Sequence, residues 1–248
     1  MLEKKELMQI AKLKGLKPWQ QEKHYVQAVL LEVLADFPLV FKGGTYLWFF
    51  HGLPRFSEDL DFTLKENLPE NLHEKVSNSL ELFGIPNSIK VISNNKTTFS
   101  FRLSIKGPLN TSYIDECRVY VEISKRECIE EKVNSIKLEF PEYNLPTKRA
   151  SGMSLNEICA EKIRAIMTRK KARDLYDLQY LIEKKNVSFN ELLADKKLAY
   201  YNKKFTKKEF LDKAKEKKDY FKKELKNLVF DELPEFNQTI KTIKNWIK

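Results

Sequence analysis

The sequence predicts an α+β protein, with a mixed sheet flanked by helices and then an all-helical C-terminal domain. Two observations carry this. Short strand-type runs alternate with helical periodicity up to about residue 147, and beyond it the periodicity is almost wholly helical. Strands mixed with helices first and helices alone later argue for a sheet domain followed by a helical one. The 248 residues allow one large domain or two modest ones, and 42% hydrophobic with 12% aromatic content belongs to a folded chain. The stretch 141–152 is turn-rich, with Pro146, Lys148 and Arg149, and reads as a linker or crossover. The expected division is therefore 1–147 and 148–248.

In order along the chain, residues 2–14 and 18–36 have helical spacing. The second run starts at Pro18 and carries Val26, Val29, Leu30, Val33 and Leu34 on one stripe. Pro38 breaks the pattern, Leu39-Val40-Phe41 is a short strand, Lys42–Thr45 a turn, and Tyr46–His51 a buried helix. Asp59–Leu64 alternates strictly, with Asp59, Asp61 and Thr63 on one side and Leu60, Phe62 and Leu64 on the other, as in a half-buried strand. A helix over 68–83 ends at Gly84 and Pro86. Strands follow at 97–105 and 118–124, separated by Gly107-Pro108. Helices are expected at about 154–170, 173–185, 188–200 and 206–227, with a last one from about 236.

Composition narrows the function. No apolar run reaches the roughly 18 residues of a membrane span, and the N-terminal MLEKKELMQI lacks the apolar stretch of a secretory signal. Three unpatterned cysteines and three scattered histidines give neither a disulfide framework nor a zinc site, so a cytoplasmic protein with reduced thiols is expected. The net charge is +10, and residues 196–226 alone hold thirteen Lys against five acids. Such a stripe attracts phosphates, which makes nucleic acid a candidate partner; a solvated helical face has the same composition. Lys204, Lys208, Lys215 and Lys222 are the candidate RNA-backbone contacts. Tyr200, Tyr201 and Phe205 are suited either to stacking on bases or to the helical core.

Three groups of residues carry chemistry. Gly43-Gly44-Thr45 leaves a strand and enters a helix, where backbone N–H groups and the helix dipole hold a phosphate; a plain turn capped by threonine gives the same pattern. Asp59 and Asp61, two apart in a strand, share one face at about 7 Å. Two like charges so placed repel unless a cation joins them, and hard oxygen donors suit Mg²⁺. Glu122, on another strand, is a weaker third acid, with Lys125 and Arg126 as alternative partners. In the third group Lys162 and Arg169 lie seven residues apart on one helical face, while Asp174 and Asp177 share another. They form either a phosphate-handling set or a helix-surface ion network.

The run Phe41-Lys42-Gly43-Gly44-Thr45, continuing through Leu53-Pro54-Arg55-Phe56-Ser57-Glu58-Asp59-Leu60-Asp61-Phe62, resembles the signature of the AbiEii/AbiGii-type nucleotidyltransferase toxins. These are the toxin halves of type IV toxin–antitoxin and phage-abortive systems, within the DNA polymerase β-like nucleotidyltransferase superfamily. The order Glu161-Lys162 then Arg173-Asp174-Leu175-Tyr176-Asp177 resembles the family's downstream motif. The resemblance implies a minimal nucleotidyltransferase sheet and Mg²⁺-dependent transfer of a nucleotide from an NTP to an acceptor hydroxyl. For some relatives the acceptor is tRNA, and RNA at its 3′ end is the acceptor expected here. A neutralising antitoxin partner is also implied. Position by position, Gly43, Gly44 and Thr45 would hold the triphosphate, Asp59 and Asp61 the metals, and Lys162 a phosphate, with Asp174 or Asp177 completing the site. Arg55, Ser57 and Arg169 would support or touch the nucleotide. Thr45 stands where the superfamily usually has Ser, which keeps the hydroxyl. The rival readings are an enzyme of the same fold acting on a protein or small-molecule hydroxyl, a non-catalytic basic nucleic-acid-binding module, and a regulatory protein with a decayed site.

Overall fold

A computed structural model describes residues 1–248 and contains ten α-helices and one mixed seven-stranded sheet. The chain divides into two compact units. The first comprises Met1–Tyr46, Glu58–Cys128 and Val133–Gly152, and the second Leu47–Ser57, Ile129–Lys132 and Met153–Lys248.

The first unit holds α1 (Lys4–Lys14), α2 (Pro18–Leu34), β1 (Leu39–Lys42), the first turn of α3 (Gly43–His51), β2 (Leu60–Leu64), α4 (Leu72–Leu82), β3 (Asn87–Asn94), β4 (Thr98–Ile105), β5 (Cys117–Ser124), β6 (Asn134–Leu138) and β7 (Lys148–Gly152). The strand order is β3-β4-β5-β2-β1-β7-β6. β2 sits centrally, antiparallel to β1 and parallel to β5, and β1 runs parallel to β7. Strict alternation puts Val119, Val121 and Ile123 of β5 in the core and leaves Arg118, Tyr120 and Glu122 outside. α2, which packs against β5, is buried over most of its length, so its apolar stripe is one part of an almost fully enclosed helix.

Three strands have weak sequence signals. β3 is a polar edge strand with little buried surface. β6 turns only Ile136 and Leu138 inward. β7 falls in the stretch expected to be a crossover. Its residues Lys148-Arg149-Ala150-Ser151-Gly152 have no apolar alternation, because Gly152 lies under the Tyr46 ring, where an added Cβ would be 2.5 Å from the phenol oxygen. The segment 148–152 therefore closes the sheet of the first unit through Val40–Ser151 and Phe41–Gly152 pairing.

The second unit holds α3 from Leu47 onward and α5 (Leu155–Thr168), α6 (Arg173–Lys185), α7 (Glu191–Ala199), α8 (Lys207–Lys215), α9 (Lys218–Leu225) and α10 (Phe236–Trp246). Ser154 caps α5 by accepting from the Glu157 amide at 3.0 Å. The expected long helix 206–227 is two helices, with a break at Glu216–Lys217 where the buried Lys217 ammonium donates to the Arg169 carbonyl. Residues 54–56 pair antiparallel with 228–230: Phe56 N–H donates to Leu228 O at 2.7 Å and Phe230 N–H to Pro54 O at 3.0 Å. That pairing sets the position of Arg55.

Candidate active site

In the first unit, β1 delivers the chain into α3 through Gly43, whose φ is +79°. A Cβ at Gly43 would stand 2.3 Å from Asp61 Oδ2 and 2.9 Å from Asp61 Cβ. Glycine is thus required twice, for a left-handed backbone and to let the Asp61 side chain lie against it. Asp61 is opposite Lys42 on β1 and in register with Glu122 on β5. Asp61 and Glu122 are therefore neighbours in one row across the sheet, about 5 Å apart at the strand spacing. The Asp61 carboxylate accepts no protein hydrogen bond and forms no ion pair. Glu122 is half exposed and reaches Arg126 at 3.3 Å.

Asp59 lies one residue before β2, in the connection from α3. The fully buried Thr45 hydroxyl donates to its backbone carbonyl at 2.5 Å. Thr45 thus ties the first turn of α3 to the Asp59–Asp61 segment. The first amides of that helix, beginning at Gly43 and Gly44, have no acceptor within the helix, and a helix start of this kind suits a phosphate.

These donors can be tested against a divalent cation. Asp61 is a hard oxygen donor without a neutralising protein cation, and Asp59 is two residues away. That set suits Mg²⁺, which takes one or two carboxylates and fills its shell with water and substrate phosphates. No three acidic, histidine or cysteine side chains come together as a complete cage.

In the second unit, Arg55, Lys162, Arg169, Asp174 and Asp177 form one chain of alternating charge. Asp177 takes Arg55 through both oxygens (Nε–Oδ1 2.5 Å, Nη2–Oδ2 2.7 Å) and Lys162 at 2.5 Å. Asp174 takes Lys162 at 3.0 Å and Arg169 through both oxygens at 2.8 and 2.9 Å. Both aspartates are completely buried, as is Arg55 at 1% exposure. Burial alone would raise the two carboxyls; Lys162 and Arg169 at Asp174, and Arg55 and Lys162 at Asp177, outweigh it and hold both well below the usual carboxylate range. Three cations on two carboxylates leave the network one positive charge in excess. Arg55 also donates to the Phe56 carbonyl at 3.0 Å, and Ser57 is buried beside this segment in sequence.

The profile of the family described as nucleotidyl transferase AbiEii toxin, type IV toxin–antitoxin system, matches residues 26–243. The chain belongs to this family. It is an AbiEii-type nucleotidyltransferase, an enzyme of the toxin class. Among solved structures, a candidate nucleotidyltransferase from H. pylori is 25% identical, with a TM-score of 0.64 over 91% of this chain and 92% of that one. JHP933 from Helicobacter pylori is 24% identical, with a TM-score of 0.63 over 93% and 90%. MenT4, a nucleotidyltransferase toxin of Mycobacterium tuberculosis, is 22% identical, with a TM-score of 0.57 over 79% and 68%. The latter two likenesses speak for the fold alone. No curated protein matches the chain, and no helix is long and apolar enough to cross a membrane.

The remaining expected residues are spread over the second unit. Lys204 precedes α8, Lys208 and Lys215 lie on α8 and Lys222 on α9, all exposed; Lys215 is 3.6 Å from Asp212. Phe205 is a core residue against Phe189 and Phe210, Tyr201 lies under Arg164, and Tyr200 is half exposed. Two buried lysines had no sequence signal. Lys197 is 2.5 Å from Glu157, and Lys217 points its ammonium at Arg169. Each is one Lys among many in a basic stretch, and spacing alone does not separate a buried one from its exposed neighbours.

Proposed function

We propose that this AbiEii-type enzyme transfers a nucleotide from an NTP to an acceptor hydroxyl at the 3′ end of an RNA, tRNA being the first candidate. The observation that carries the reading is the unpartnered Asp61 carboxylate, seated against Gly43 at the start of α3. An acid with no protein counter-charge beside a phosphate-binding helix terminus has a use when a cation and a polyphosphate arrive together.

On the first unit, the amides from Gly43 to Thr45 take phosphate oxygens, and Gly43 keeps the space into which Asp61 fits. Thr45 holds the Asp59 segment through its carbonyl. Asp59 and Asp61 would hold Mg²⁺, with Glu122 as the neighbouring acid; the bound ion supplies charge neutralisation on the phosphates. The acceptor oxygen attacks the α-phosphorus, the bond to the bridging oxygen breaks, pyrophosphate leaves and the hydroxyl proton passes to solvent. On the second unit, Lys162 supplies a cation to a phosphate and Arg169, half exposed, a second. Asp174 and Asp177 act as positioning residues in this scheme, since their oxygens already hold Lys162, Arg169 and Arg55, and Arg55 and Ser57 shape the same segment. A cognate antitoxin completes the biology proposed for the chain in the cytoplasm.

The test is incubation with Mg²⁺, each α-labelled NTP and total cellular RNA, resolved on a denaturing gel beside Asp61→Asn. Label on small RNA, absent with the variant, is expected. Equal label with Asp61→Asn would refute the site assignment. Label on protein or small molecules instead of RNA would refute the acceptor.

A further inference from the structure

The end of α5 and the α8–α9 break enclose a cavity of about 380 Å³, lined by Arg169, Lys170, Lys213, Glu216, Lys217 and Tyr220 among others. This is within the usual range for small-molecule sites, roughly 300–1,000 Å³. Four of these six side chains are cationic and one is acidic. Their charges are unequally used. Arg169 is bound to Asp174, and Lys213 holds both Glu216 oxygens at 2.9 Å. Lys170 has no ion pair. Lys217 is 3% exposed, yet its ammonium has a single acceptor, the Arg169 carbonyl, and no carboxylate at ion-pair distance.

A lysine ammonium carries three donors. Burying one with two of them unused is costly, and burial lowers the basicity of Lys217 even though Asp174, Glu216 and Glu224 act on it from beyond ion-pair distance. An oxyanion entering the cavity supplies acceptor oxygens and negative charge in direct contact with Lys217 and Lys170 together. Tyr220, 46% exposed on the lining, offers a ring face for a base beside that anion.

We infer that this cavity binds the phosphate of a nucleotide, with Lys217 and Lys170 on the phosphate oxygens and Tyr220 against the base. The phosphate belongs either to a free nucleotide or to a strand of RNA. The naming of a nucleotide rests on the proposed nucleotidyl transfer; the anion site does not.

The test uses the full-length Asp61→Asn protein in EDTA, so that binding is read without transfer and without metal. Inorganic pyrophosphate and AMP are titrated by calorimetry, and a fluorescein-labelled twelve-residue single-stranded RNA by anisotropy. Lys217→Met is expected to weaken whichever of these binds by about ten- to a hundredfold, the equivalent of one charge-assisted hydrogen bond. Lys170→Gln, at an exposed position that folding does not depend on, is expected to weaken it several-fold. Tyr220→Ala is expected to weaken AMP and RNA and to leave pyrophosphate unchanged. RNA tighter than AMP identifies the strand as the source, and the reverse identifies the free nucleotide. No binding of any of the three, or binding unchanged by both Lys217→Met and Lys170→Gln, overturns the inference. If Lys217→Met fails to fold, Lys170→Gln decides alone. Loss of the transfer reading on the labelled gel leaves this measurement standing, and its failure leaves the gel result standing.

Discussion

Replacing Asp177 by Asn should cost more stability than any other single-atom change in the second unit. The substitution keeps the shape but removes the charge that faces Arg55 and Lys162. Arg55 is 1% exposed, and its two bonds to Asp177 at 2.5 and 2.7 Å are its only ones to a carboxylate. The network carries three cations and two carboxylates, so the variant leaves three on one, inside the protein. Breaking a buried pair by removing one partner costs about 3–5 kcal/mol, chiefly because the other charge stays buried and unpaired. For a chain of this length each kcal/mol moves the midpoint by about 2–4 °C, giving a fall of about 6–20 °C. Thermal unfolding followed by circular dichroism at pH 7 reads it directly. The double variant Arg55→Met, Asp177→Leu removes both charges and should recover most of the loss. A midpoint for Asp177→Asn within about 2 °C of the parent would refute the claim that Asp177 supplies the counter-charge of a buried Arg55. The same pair sets an acid limit. With the Asp177 carboxyl held low in the fold, its contribution is complete above the unfolded value near 3.9 and lost as pH falls below it.

Gly43→Ala should lower the midpoint, because a left-handed φ costs an L residue about 1–2 kcal/mol and the new Cβ collides with Asp61; transfer should fall by about a hundredfold as the carboxylate moves by about 1 Å. Asp61→Asn should leave the melting midpoint within about 1 °C, since no protein partner is lost, while labelled-NTP transfer disappears. Glu32 is fully buried, both its oxygens lack partners, and burial raises its carboxyl to about 7 against the pull of Lys148. The fold holds that proton where the unfolded chain has lost it, so stability should fall as pH rises from about 4.5 to 7, and Glu32→Gln should flatten that slope in urea titrations.

The parts of the fold legible in the sequence are those where one face is buried and the other is not. β5 and the first part of β4 alternate for that reason and α6 carries a stripe, whereas β2 buries Thr63 on its polar side and α2 is enclosed well beyond its stripe. β3 has little to bury, and β7 packs Gly152 under Tyr46, so neither prints a period on the chain. The passage from strand to helix at Gly43-Gly44-Thr45 was legible because it is local, although these residues are already the first turn of α3 and Asp59 falls just before β2. The partners of Asp174 and Asp177 were not legible. Helical spacing shows which residues share a face, but Arg55 reaches Asp177 from the other end of the unit's sequence through the 54–56 and 228–230 pairing. Thr45 shows the same limit: its hydroxyl was expected to face a phosphate, and only the fold reveals the Asp59 carbonyl as its acceptor.

Asp61 and the pair Asp174 and Asp177 thus end in opposite electrostatic states. Asp174 and Asp177 face a surplus of cations and are driven to stay ionised. Asp61 faces Lys42 across the strand pair, but that ammonium lies 3.8 Å from Glu127, and the next side chain in the row is another acid, Glu122. Asp61 therefore has no cation bonded to it at the head of α3, whereas the Asp174 and Asp177 network of the second unit carries one cation in excess. Substitutions at the two sites should consequently separate, with loss of activity at constant stability for Asp61 and loss of stability first for Asp177.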